Sequence, residues 1–85
     1  MNEEKPEELI EVERVLVKLK EKFQPVTSLE ESNHTMSTLD FCEKIRSHYP
    51  GGKYVGDDEI YKLLIEHNYT YSMIGLEMEW LVKKV

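Results

Sequence analysis

The chain has 85 residues, 40% of them hydrophobic and 33% charged, with a formal net charge of −6 and one cysteine. That length is one folding unit with a thin core, because a chain so short buries only roughly 60–65% of the surface its unfolded form exposes. The composition argues against disorder. No apolar run approaches the ~20 residues a bilayer requires, and a lone Cys42 excludes an internal disulfide framework.

The N-terminal stretch Met1-Asn2-Glu3-Glu4-Lys5 is acidic and has no apolar core for a secretory signal. With one cysteine, a reducing, cytoplasmic setting is the expectation. Residues 6–23 carry the clearest helical pattern. Leu9, Val12, Leu16, Leu19 and Phe23 step by three and four, the spacing of a heptad seam, and Ile10 and Val15 broaden the stripe. Pro6 suits a first turn, Glu7, Glu8 and Glu11 complement the positive helix end, and Lys18, Lys20 and Lys22 the negative end. Pro25 stops the run. About two heptads are too few for a free-standing coiled coil, so the stripe packs either on its own domain or on a second subunit. Val17, off the main stripe, favours a second contact surface.

Residues 24–36 read as a connector, aperiodic and rich in Ser, Thr, Asn and Glu, with room for one helical turn around Ser28–Ser32. Ser37 then opens a helix: Asp40 completes a capping box, and Met36 can staple against Phe41. Its inward positions are read as Leu39, Cys42, Ile45 and Tyr49, and Pro50-Gly51-Gly52 ends it. Lys53-Tyr54-Val55 could be a short extended piece. Gly56 and Asp57 restart a helix with Ile60, Leu63, Leu64 and His67 along one face, and Asn68 is suited to a left-handed cap. Tyr69, Tyr71 and Met73 alternate with Thr70 and Ser72. After Ile74-Gly75, the residues Leu76, Met78, Trp80 and Val82 alternate with Glu77 and Glu79. Two alternating runs around a short glycine turn read as a β-hairpin.

The expected fold class is therefore α+β, three helices with a C-terminal two-stranded β-hairpin. Residues 1–36 form an N-terminal helix and connector, and residues 37–85 the core. Helix, tight turn, helix, hairpin is also the order of a winged-helix domain. The stretch from Ser37-Thr38-Leu39-Asp40-Phe41 to Tyr49-Pro50, then Asp58-Glu59-Ile60 to Asn68-Tyr69, then Glu79-Trp80-Leu81, resembles the small winged-helix-like C-terminal domains of virulence-E-like and primase-helicase-like proteins of Bacteroides-type mobile elements. The resemblance contains no catalytic motif and implies no site residue. It implies a DNA-associated regulator or accessory domain of a mobile-element protein as the alternative function.

Charge argues against that alternative. A DNA-reading winged helix places the second helix of the pair in the major groove. Here that helix carries Asp57, Asp58, Glu59 and Glu66 against Lys62 alone, and Lys83 and Lys84 cannot reverse the sign.

Enzymatic readings fare no better. His34, Cys42, His48 and His67 show no paired metal-ligand spacing. Cys42 lies on an inward stripe, where cysteine acts as a small hydrophobe. Pro50-Gly51-Gly52-Lys53 lacks the strand, spacing and Ser or Thr of a phosphate loop. The carboxylates fall in runs that suit solvated faces and helix starts. The reading is a non-enzymatic protein–protein interaction module without cofactor, whose partner is a protein or a second copy engaged through the N-terminal helix. Candidate contact residues are Leu9, Val12, Leu16, Leu19 and Phe23 on the helix and Tyr69, Tyr71 and Trp80 on the hairpin. The bland alternative for the three hairpin aromatics is that they face the core.

Overall fold

The computed structural model describes residues 6–85, so the acidic Met1–Lys5 stretch lies outside the described residues. In chain order the elements are α1 (Glu7–Lys22), β1 (Phe23–Pro25), β2 (His34–Met36), α2 (Thr38–His48), a 3-10 turn (Pro50–Tyr54), α3 (Asp57–Glu66), β3 (Thr70–Ile74) and β4 (Glu77–Lys84). The fold is an α+β domain of three helices and a four-stranded antiparallel sheet that includes the C-terminal hairpin.

Local chemistry explains the helix boundaries. Ser37 accepts from the Asp40 amide at 3.0 Å and Asp40 returns the bond to the Ser37 amide at 3.0 Å, the reciprocal capping box. At the end of α3, Asn68 takes a φ of 69°. The Tyr69 amide then reaches the Leu64 carbonyl at 3.0 Å and the Asn68 amide the Ile65 carbonyl at 3.1 Å. This pair of bonds is the Schellman closure, and its hydrophobic contact is supplied by Tyr69 and Leu64, both in the core.

Two details of α2 and its exit differ from the sequence expectation. Leu39 is exposed, and Phe41 fills the core beside Cys42 and Ile45. At 3.6 residues per turn Leu39 lies roughly 110° from the middle of that buried face, too far round to reach it. Lys53-Tyr54-Val55 is not extended, because Lys53 and Tyr54 belong to the 3-10 turn.

The hairpin expected from the alternation of Tyr69 to Val82 is present, but β4 also gathers two further strands, one where the expected helix meets the connector and one from the connector's end. His34–Met36 pairs with Val82, Leu81 and Trp80, and Phe23–Pro25 with Lys84, Lys83 and Val82. β3 pairs with residues 77–81 of β4. Leu81 and Trp80 are thus flanked by β2 and β3, and Val82 by β2 and β1. With two edges per strand, β2 holds one edge of β4, while β3 and β1 follow one another along the opposite edge. Between β1 and β2, Ser32 closes one turn onto Ser28 at 3.2 Å.

One core joins both halves of the chain. Val12, Leu16, Leu19 and Phe23 pack with Met36, Phe41, Cys42, Ile45, Val55, Ile60, Leu63, Leu64, Tyr69, Trp80 and Val82. The N-terminal helix is therefore part of the folding unit. It is tied to the end of α3 by His67, whose Nε2 lies 2.8 Å from Glu13 Oε2 and whose Nδ1 lies 3.4 Å from Lys20 Nζ.

Candidate interaction surface

Most of the residues expected to form contact surfaces are used inside the fold. Val12, Leu16 and Trp80 have no exposed surface, and Leu19, Phe23 and Tyr69 are buried. Leu9 is half-buried and packs against the same cluster. The heptad-like stripe of α1 is therefore occupied within the fold, against α2, the 3-10 turn and the sheet. Of the hairpin aromatics only Tyr71 reaches solvent.

Aromatic packing explains how Tyr71 comes to be half in and half out. Trp80 anchors the sheet, its indole Nε1 donating to Thr38 Oγ1 at 2.8 Å. Tyr61 of α3 and Tyr71 of β3 stand against it with ring centroids 5.5 and 5.4 Å away, and against each other at 6.2 Å. The Tyr71–Trp80 pair is edge-to-face, the arrangement favoured by ring quadrupoles. A hydrogen bond with Tyr71 holds the Tyr61 phenol above its ordinary pKa.

Beyond this cluster the helices stop covering the sheet, and the hairpin runs on. Met73 is 61% exposed, Ile74 41% and Leu76 98%, next to Tyr71 at 41%. Tyr61, Lys62, Ile65, Glu66 and Tyr71 line a shallow cavity of about 430 Å³ where α3 meets the β3 edge. The turn that carries Leu76 is a two-residue loop with Gly75 at a φ of 64° and Leu76 at negative φ. That is the type II′ arrangement, with glycine where the strained position demands it.

Met73, Ile74 and Leu76 were not singled out by the sequence reading. One signal was present: a leucine in a hairpin turn has no neighbour to bury against, whereas turn positions ordinarily hold Gly, Asn, Asp or Ser. Singly exposed apolar residues need no explanation, whereas Tyr71, Met73, Ile74 and Leu76 follow one another along one hairpin and its turn.

The remaining candidates gain nothing from the fold. Cys42 is buried, with Sγ 3.5 Å from Asp57 Oδ1. Burial first, and then the Asp57 charge, push its thiol up to about 11 against a smaller opposing effect of Arg46. It therefore stays protonated near neutral pH, and the thiolate, not the thiol, is the nucleophile. The same Asp57 oxygen also accepts from Arg46 Nη2 at 3.2 Å, which donates to the Val55 carbonyl at 3.1 Å as well and so fastens the 3-10 turn to α2. His48 caps its own helix through the Lys44 carbonyl at 2.9 Å, and His34 packs near the Phe23 ring. Among the described residues no three His, Cys, Asp or Glu side chains converge, and no helix is long and apolar enough to cross a membrane.

Comparison of the chain with protein-family models, with curated proteins and with solved structures finds no match.

Proposed function

We propose that this chain is a winged-helix-like, non-enzymatic protein-interaction module that makes contact through its C-terminal hairpin. The element order supports the winged-helix part of this reading: a helix, two short strands on opposite edges of β4, two helices joined by a tight turn, and a hairpin that completes the sheet. The carrying observation for the contact surface is the projecting apolar run of Tyr71, Met73, Ile74 and Leu76 beside Ile65. Burying one such side chain on a partner yields roughly 1.5–3 kcal/mol relative to leaving it in water, so this run is where association gains most.

Charge favours protein over nucleic acid as the partner. Asp57 and Asp58 are exposed in the first turn of α3, and the hairpin turn is followed by Glu77 and Glu79. Lys83 and Lys84 sit at the far end of β4, opposite β1. Neither the helix nor the turn that would approach a phosphate backbone presents net positive charge.

Site-specific photo-crosslinking in the native cell tests the reading. A photoreactive residue at position 73 or 76 is expected to give protein adducts that the same residue at exposed Lys53 does not. Absence of adducts from both hairpin positions would overturn the proposal, as would salt-sensitive binding to duplex DNA.

A further inference from the structure

Within the reading of the hairpin as a contact surface, we infer that its partner is a second copy of the same chain, joined edge to edge along β3 across a two-fold axis at Ser72. The argument starts from hydrogen-bond parity. In a two-residue hairpin the residues flanking the loop form a hydrogen-bonded pair, here Ile74 with Glu77, and such pairs alternate along the ladder. Ser72–Glu79 and Thr70–Leu81 are then bonded pairs, while Met73–Met78 and Tyr71–Trp80 are not. The backbone N–H and C=O groups of Tyr71 and Met73 consequently point away from β4. Among the described residues no strand pairs with that edge.

Natural edges are blunted by charge, proline, bulges or short length. β1 and β2 are three residues long, and β1 ends in Pro25. β3 is five residues, Thr-Tyr-Ser-Met-Ile, with no charge and no proline, in a chain that is 33% charged. It carries no charge, proline or bulge that would keep an edge from pairing.

An antiparallel copy centred on Ser72 meets this edge with complementary groups throughout. Tyr71 falls opposite Met73 of the copy, and these are the residues whose backbone groups face outward, so each of the two equivalent pairs exchanges two hydrogen bonds. Their side chains share the helix-covered face, where Met73 of the copy comes beside the cavity of Tyr61, Ile65 and Tyr71 and makes a sulfur–aromatic contact. On the other face Thr70 meets Ile74, and the small Ser72 meets itself at the axis. No like charges oppose one another. The cavity rim carries one charge of each sign, Lys62 and Glu66, so a two-fold copy brings no net repulsion there.

Charge-swapped variants at the axis provide the test. Ser72→Lys places a cation across from Glu79 of its own hairpin, which favours the hairpin, while two copies set lysine against lysine. Sedimentation velocity of wild-type chain over roughly 10 µM to 1 mM, a range that detects weak association, is expected to show a monomer–dimer equilibrium. Ser72→Lys should weaken it roughly fivefold, the scale of a like-charge pair directly across two strands. Ser72→Glu should weaken it as well, and an equimolar mixture of the two should restore the dimer as a heterodimer. Circular dichroism and Trp80 fluorescence verify that each variant is folded. Wild-type chain that stays monomeric, or a mixture no more dimeric than either variant, overturns the two-fold register. Photo-crosslinks from position 73 separate the two proposals: adducts of twice the chain mass support self-pairing, adducts with a different protein overturn it and leave the interaction module standing, and no adduct overturns self-pairing, the module falling with it only when position 76 gives none either.

Discussion

Replacing Leu16 by Ala removes three carbons from a side chain with no exposed surface, seated between Val12 and Leu19 on the buried face of α1. Leu→Ala in a well-packed core costs about 2–5 kcal/mol, because the lost transfer energy is joined by the energy of the cavity left behind. A chain of 85 residues at 0.05–0.15 kcal/mol per residue holds roughly 4–13 kcal/mol in all. The substitution therefore removes between a sixth and the whole of the stability. With a urea slope of about 1 kcal/mol/M, the midpoint falls by roughly 2 M or more. Val17→Ala, on the 51%-exposed side of the same helix, is the control and should stay within about 0.5 kcal/mol of wild type. Both are measured by urea titration followed by Trp80 fluorescence at one fixed protein concentration, because association would shift the apparent midpoint. A Leu16→Ala shift no larger than that of Val17→Ala would refute the placement of α1 in the shared core and restore it as an appendage.

Other elements make independent predictions. Thr38→Val leaves the buried Trp80 indole N–H without its acceptor and should cost about 1–3 kcal/mol, with a change in Trp80 emission that chemical denaturation and fluorescence report together. Asn68→Ala forces a Cβ-bearing residue without a local hydrogen-bonding side chain into a φ of 69° and should cost about 1 kcal/mol, whereas Asn68→Gly should not destabilise; equal losses would discount the left-handed cap. Cys42 should label slowly with thiol reagents at pH 7 and rapidly only after unfolding. Its folded-state pKa is raised from 9.0 to about 11, so the folded chain holds this proton more tightly than the unfolded one. The stability linked to it is fully present below pH 9 and is lost as pH rises through 11, and burial of the Tyr69 phenol acts in the same direction. Cys42→Ala should flatten the decline of stability in that window, and an unchanged slope would contradict the assignment.

Features written in local chemistry were legible in the sequence. The Ser37–Asp40 box, the Asn68 cap and the alternation of Tyr69 to Val82 each depend on neighbours a few residues away. β1 and β2 were not legible, because three residues give no period. They become strands only by pairing with β4, some forty to sixty positions along the chain. The same limit applied to the stripe of α1: spacing showed a buried face, but only the packing of α2, the 3-10 turn and the sheet shows what covers it. Leu39 was misplaced because α2 is short, and the phase of an eleven-residue helix rests on few positions. The exposed run of Met73, Ile74 and Leu76 depends on where the helices end relative to the hairpin, a length match that periodicity does not encode.

Amide hydrogen exchange at several protein concentrations tests most directly whether the β3 edge is the contact surface between copies. The Tyr71 and Met73 amides should exchange freely in dilute solution and become protected as concentration rises, while the Ser72 amide, already bonded to β4, should change little. Concentration-independent exchange at Tyr71 and Met73, or protection that appears on α1 instead, would contradict the account.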